Sequence, residues 1–139
     1  MILLDTSGLL AALVPDQRAH AAAARVLAGS AGPFVLSPFV LAELDYLLRK
    51  LAGPHAPLDL LDEVSRGAYR LAAYTSADVA EARDLMGRYT ELGISLADAS
   101  IVVLARRAGT RDVLTLDDRH FRALHGPGDK SFRLLPADG

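Results

Sequence analysis

The 139-residue chain contains no cysteine and no tryptophan, and aromatic residues make up only 6% of it. Without thiols there is no disulfide scaffold, zinc-thiolate site, iron–sulfur cluster or cysteine nucleophile. With so few aromatics the core must be aliphatic. No apolar run approaches the ~18 residues that a membrane span requires. The apolar stretch before Asp5 is too short, and lacks the basic start, for a signal peptide, so a cytoplasmic location without membrane contact is expected. A basic excess is missing too: 15 Lys and Arg face 17 Asp and Glu, for a formal charge of −2. That balance argues against a general nucleic-acid coat, which would neutralise many phosphates.

What is present is a chain that is 51% hydrophobic, long enough for one domain with a real core. One domain over residues 1–136 with a short tail at 137–139 is expected, with no repeat or linker. Met1 to Leu4, Phe34 to Leu36, Val113 to Leu116 and Phe132 to Leu135 read as short buried strands, and Tyr69 to Tyr74 as a brief one. Helical stretches run between them. One follows Asp5 up to Pro15, and a second, capped by Asp16, covers Ala19 to Ala28. A third starts at Ser37-Pro38 and stops near Gly53, and others cover Leu58 to Arg66, Thr75 to Leu92, Ser95 to Ala108 and Arg119 to Leu124. Apolar strands alternating with helices predict an α/β fold with a mostly parallel sheet covered on both faces.

Four carboxylates stand where burial is expensive. Asp5 and Asp117 follow apolar strands, at the carboxyl edge where open α/β sheets form ligand sites. Glu43 lies three or four positions from Phe39, Val40, Tyr46 and Leu47, on an apolar stripe of its helix, and Asp98 stands likewise to Ile101 and Val102. Converging carboxylates repel one another, and a divalent cation relieves that repulsion. Oxygen donors without Cys, or His at ligand spacing, point to Mg²⁺ or Mn²⁺ rather than zinc, an ion suited to phosphate esters. Ordinary structural jobs compete with this reading. Asp5 can cap a helix, Ser95-Leu96-Ala97-Asp98 matches a capping box, and Thr115 to Asp118 offers another, which makes Asp118 a cap or a solvated residue.

The stretches ILLDTSGLLA, SPFVLAELDYLL, GISLADASIVVLA and VLTLDDRHF, in that order, resemble the PIN-domain nucleases and specifically the VapC toxins of toxin–antitoxin pairs. The likeness runs from Met1 to about Pro136. It implies a PIN-like three-layer α/β/α sandwich with a central, mostly parallel sheet of about five strands. It also implies a metal-dependent endoribonuclease that hydrolyses an RNA phosphodiester, in a transfer RNA or the ribosomal sarcin–ricin loop, to arrest translation. Asp5, Glu43, Asp98 and Asp117 would form the acidic site. Asp5 and Asp98 would be the principal Mg²⁺ ligands (Mn²⁺ is the other option), with Glu43 and Asp117 direct or through water. Hydroxyls of Thr6, Ser7 and Thr115 would orient a carboxylate or a water. The general base is left open, and Asp118 stands where many relatives carry a basic or polar residue. The implied partners are a VapB-type antitoxin, a second copy in a homodimer, and DNA only through the antitoxin.

Between Ala99 and Arg133, seven basic side chains meet four acids, so this region is locally basic. Arg119, His120 and Arg122 are the candidate RNA contacts, whereas Arg106 and Arg107 read as complements to a helix C-terminus. A receiver domain would need an acidic pair after its first strand, and a haloacid-dehalogenase-type phosphatase would need Asp at position 7, which is Ser. The remaining alternative is a stand-alone PIN nuclease of RNA processing or quality control.

Overall fold

Ile2-Leu3-Leu4 is apolar on both faces, as a strand covered from both sides must be, and all three residues are buried. They form β1 (Ile2–Leu4), the middle strand of a five-stranded sheet, in a computed structural model that describes residues 1–139. The chain continues through α1 (Thr6–Leu13), α2 (His20–Gly29), β2 (Phe34–Leu36), α3 (Pro38–Ala52), α4 (Ala56–Ser65) and β3 (Arg70–Leu71). It then runs through α5 (Ser76–Arg88), α6 (Leu96–Ala108), β4 (Asp112–Leu114), α7 (Asp118–Phe121) and β5 (Arg133–Leu135).

The sheet order is β3-β2-β1-β4-β5 and every pairing is parallel, in agreement with the expected α/β fold. Chain order runs outward from β1 through β2 to β3, then returns to the other side of β1 at β4. The reversal puts a topological switch point between β1 and β4, and ligand sites of open α/β sheets form at such points. Asp5 is the first residue beyond β1, and Thr115 to Asp117 follow β4 directly. Gly8 brings α1 close beneath this edge: a Cβ there would lie 2.3 Å from the Leu114 carbonyl oxygen.

The most deeply set helix is α6, buried at Ala97 and continuously from Ala99 to Ala105. It packs on β1, α3 and α5, and such all-round apolarity marks a helix enclosed by others. Its one buried hydroxyl, Ser100, donates to the Ala97 carbonyl at 2.7 Å and meets the Ser37 hydroxyl at 2.7 Å. Ser37 in turn caps α3, accepting from the Phe39 N–H with Pro38 in the first turn.

Four local expectations need correction. Asp16 does not cap α2; Ala19 occupies that position in the left-handed region at φ 63°, without a side-chain cap. α5 ends at Arg88 rather than Leu92, β3 is only two residues long, and α7 occupies Asp118–Phe121, ending short of Leu124. The final residues are tied down, because the Asp138 N–H donates to the Leu134 carbonyl and its carboxylate takes Arg122 and the Leu134 N–H. No helix is long and apolar enough to cross a membrane.

Candidate active site

Asp5 terminates β1 and occupies the N-cap position of α1, yet its side chain caps nothing. The residue is only 4% exposed, and its carboxylate turns inward. Two hydroxyls converge on Oδ2: Ser7 Oγ donates at 2.8 Å and Thr115 Oγ1 at 2.7 Å. Each hydroxyl also accepts a backbone N–H of the loop after β4, Ser7 from Leu116 at 3.0 Å and Thr115 from Asp117 at 2.9 Å. Both hydroxyl protons are thereby committed to Asp5, and the loop carrying Asp117 is fastened to the residue it must face. Neither bond involves Oδ1.

Burial pushes the Asp5 carboxyl up to about 6, with the nearby Asp98 charge adding to the rise, although Thr115 and Ser7 hold it down. Ionising a carboxyl so deeply buried is costly, and a cation beside it lowers that cost.

Asp98 performs the structural job foreseen for it. Its Oδ2 accepts the Ser95 N–H at 3.0 Å while Ser95 Oγ accepts the Asp98 N–H, closing the capping box of α6. Oδ1 takes no part in the box, so capping and ligation do not exclude each other. Asp117 is itself the N-cap of α7, accepting the His120 N–H at 3.0 Å on Oδ1. The box expected to end at Asp118 is therefore absent. Asp118 is exposed and lies 3.9 Å from Arg122.

His120 is not the outward-facing RNA contact suggested by its neighbours. Its Nδ1 lies 2.7 Å from Asp117 Oδ2 and 3.7 Å from Asp98 Oδ2, while Nε2 lies 3.1 Å from the Leu92 carbonyl. Both ring nitrogens thus face acceptors, a carboxylate on one side and a carbonyl on the other. Ligand atoms of Asp98, Asp117 and His120 all lie within 4.8 Å of one another. Asp5 and Glu43 stand outside that tight group.

Glu43 differs from expectation in burial. The core side of α3 is Val40, Leu44 and Leu48, so Glu43 faces out and is exposed. It still reaches the site's rim, where Thr6 Oγ1 donates to Oε1 at 2.9 Å. The structure thus joins Asp5, Ser7, Thr115, Asp98, Asp117 and His120 through short contacts, and adds Glu43 through Thr6.

Among the expected RNA contacts, Arg119 is exposed. Arg122 is already engaged by both oxygens of Asp138, each at 2.7 Å. Arg107 does not serve its own helix terminus: it bonds Asp78 at 2.9 Å and the Ala73 carbonyl. Asp78 is a buried acid that the apolar-company argument passed over, although Thr75 to Asp78 spells the capping box it forms.

The donor set fits a hard divalent cation. It offers carboxylate oxygens with open valences on Asp5 and Asp98 and a third carboxylate on Asp117. The desolvated, upward-shifted Asp5 is the observation that favours a cation among them.

Comparison with known proteins bears on the family and the fold. The family model described as PIN domain matches residues 2–126. A Mycobacterium tuberculosis protein, Ribonuclease VapC26, is 42% identical over 135 residues, which cover 97% of this chain and 100% of that protein. The crystal structure of M. tuberculosis VapC20, described as a sarcin–ricin loop cleaving toxin, superposes with a TM-score of 0.79 at 24% identity, covering 84% of this chain and 90% of that one. A toxin–antitoxin complex from Klebsiella pneumoniae gives a TM-score of 0.68 at 18% identity, covering 89% and 92%. With the acids gathered at the switch point and a family match over most of its length, the chain belongs to the PIN-domain family and, within it, to the VapC ribonucleases.

Proposed function

We propose that the chain is the toxic endoribonuclease of a toxin–antitoxin pair, cleaving a phosphodiester in a transfer RNA or in the ribosomal sarcin–ricin loop and so arresting translation. What supports the reading is the buried Asp5 carboxylate, held by Ser7 and Thr115 against its own tendency to neutralise. An arrangement that maintains an unfavourable charge is made for a cation. Asp5 and Asp98 are the principal ligands of Mg²⁺, with Mn²⁺ as a substitute, and Glu43 and Asp117 complete the set directly or through water. Bound there, the metal neutralises phosphoryl oxygens and makes water more acidic. Thr6 holds Glu43 at the solvent side as a proton acceptor, and His120 fixes Asp117. Hydrolysis by an in-line water leaves a 3′-hydroxyl and a 5′-phosphate.

The test is mapping of RNA 5′ ends after induction of the wild-type chain and of Asp98→Asn. One dominant new end, absent in the variant, names the substrate; retained cleavage by a folded Asp98→Asn overturns the site. The partners in this reading are a VapB-type antitoxin and a second copy, with DNA contacted only through the antitoxin. Co-purification and light scattering check both. The stand-alone nuclease of RNA processing uses the same residues, and a small upstream reading frame for a DNA-binding antitoxin separates the two.

A further inference from the structure

Seven of the thirteen arginines have their guanidinium groups engaged. Arg49, Arg83, Arg107, Arg122 and Arg133 hold carboxylates, and Arg106 and Arg111 hold backbone carbonyls. Arg18, Arg25, Arg66, Arg70, Arg88 and Arg119 make no such contact, and an unpaired guanidinium is the one available to a phosphate.

Three of these six lie in clefts that share walls with the acidic site, and a fourth, Arg25, lies in a cleft adjoining one of them. Arg88 and Arg119 line a cleft of about 560 Å³ between the end of α5 and α7, with Glu91 as its only acid. Leu92 belongs to the same wall, and its carbonyl meets the His120 ring that holds Asp117. On the other side, Arg18 lines a cleft of about 460 Å³ together with Thr115 and Leu116, with Asp118 as its only acid. Ala22 and Pro136 carry that cleft into a third, of about 310 Å³, which holds Arg25 and no acidic side chain, although Arg25 also borders a cleft that contains Asp112.

The geometry points to a path for RNA across the carboxyl edge of the sheet, with the scissile phosphate at the acids. Arg88 and Arg119 bind phosphates on one side of it and Arg18 and Arg25 on the other. Tyr89, half-buried in the wall of the first cleft, offers a ring face on which a base can stack. The path rests on the ribonuclease reading above and deepens it. It also offers a route by which a chain of net charge −2 meets a polyanion: free arginines flank the cutting point, and each of these clefts carries at most one acidic side chain.

The test measures binding of a short fluorescein-labelled single-stranded oligoribonucleotide of mixed sequence, in an Asp98→Asn background that prevents cleavage, across a series of salt concentrations. Each phosphate contact to a single strand contributes roughly 0.7 to the slope of log affinity against log salt. Arg88→Ala/Arg119→Ala and Arg18→Ala/Arg25→Ala should each lower the slope by about 1.4. Arg66→Ala/Arg70→Ala removes the same charge outside the clefts and should leave the slope near that of the parent. Circular dichroism establishes that each variant is folded. Equal effects from all three pairs overturn the path, since only net charge would then matter, and a loss confined to one cleft overturns its two-sided course. In the parallel arm with an intact Asp98, failure of the unmodified chain to cleave any RNA overturns the ribonuclease reading itself; cleavage with unaltered cleft variants overturns only the path.

Discussion

Asp5 carries a conflict between stability and function within one side chain. In the unfolded chain its carboxyl titrates near 3.8, in the folded chain near 6. Between those values the folded state holds the proton more tightly, so stability falls as pH rises from about 4 to 6 and the loss is constant above that. The difference corresponds to about 3 kcal/mol. Asp5→Asn should therefore melt higher than the wild type at pH 8 in chelator, with the gap closing towards pH 4, while cleavage disappears. An unchanged or lower melting temperature at pH 8 would show that the hydroxyls fully compensate the burial. Thr115→Val tests those hydroxyls, since it keeps the shape but removes both the bond to Asp5 and the acceptor of the Asp117 N–H. A buried group left unpaired costs about 1–3 kcal/mol, so urea melts should shift accordingly. His120→Ala should lower activity or metal affinity by roughly 10- to 100-fold through loss of the brace on Asp117. His120→Asn, which retains a donor near Nδ1, should recover part of it, as single-turnover cleavage would show. His120 was hard to place from sequence because one of its partners is the backbone of Leu92, 28 positions upstream, and a carbonyl leaves no trace in residue identity.

At the level of elements, strand ends were legible and helix faces less so. Apolar runs closed by Asp5 and by Asp117 mark strands that must be covered on both sides, and their carboxyl edge follows from the parallel fold. Glu43 was misread because α3 is apolar on two faces. Phe39, Tyr46 and Leu47 mark one and Val40, Leu44 and Leu48 the other, and only tertiary packing chooses the second as the core side. The pairing of Arg122 is hidden for a similar reason, its partner Asp138 lying 16 residues on, beyond β5. That pair, together with the Leu134 N–H, clamps α7 to β5. The Arg122 bond holds the Asp138 carboxyl down at about 2, so the clamp contributes stability above the ordinary carboxylate range and loses it as pH falls through about 2. Asp138→Asn should lower the melting temperature at pH 6, and the difference from wild type should vanish at pH 2. A difference that persists unchanged at pH 2 would assign the effect to packing rather than to the charge.

For the whole molecule, ligand linkage unites fold and site. A divalent ion that binds only the folded chain raises its stability by RT ln(1 + [L]/Kd). Millimolar Mg²⁺ or Mn²⁺ should therefore raise the wild-type melting temperature, and Asp98→Asn should abolish the increase. A full shift in that variant would move the ion elsewhere. The network around Asp5 also gives the site a history in time. Thr115 lies 110 positions from the carboxylate it holds, so the pocket closes only when the end of β1 and the loop after β4 meet. At bacterial-type rates of 5–20 residues per second, translation from one to the other takes roughly 5–20 s. Throughout that interval the growing chain has its first carboxylate but neither the hydroxyl nor the loop that completes the pocket. A product truncated before Thr115 lacks both Asp117 and the hydroxyl that holds Asp5, so the site is incomplete until that loop has been synthesised.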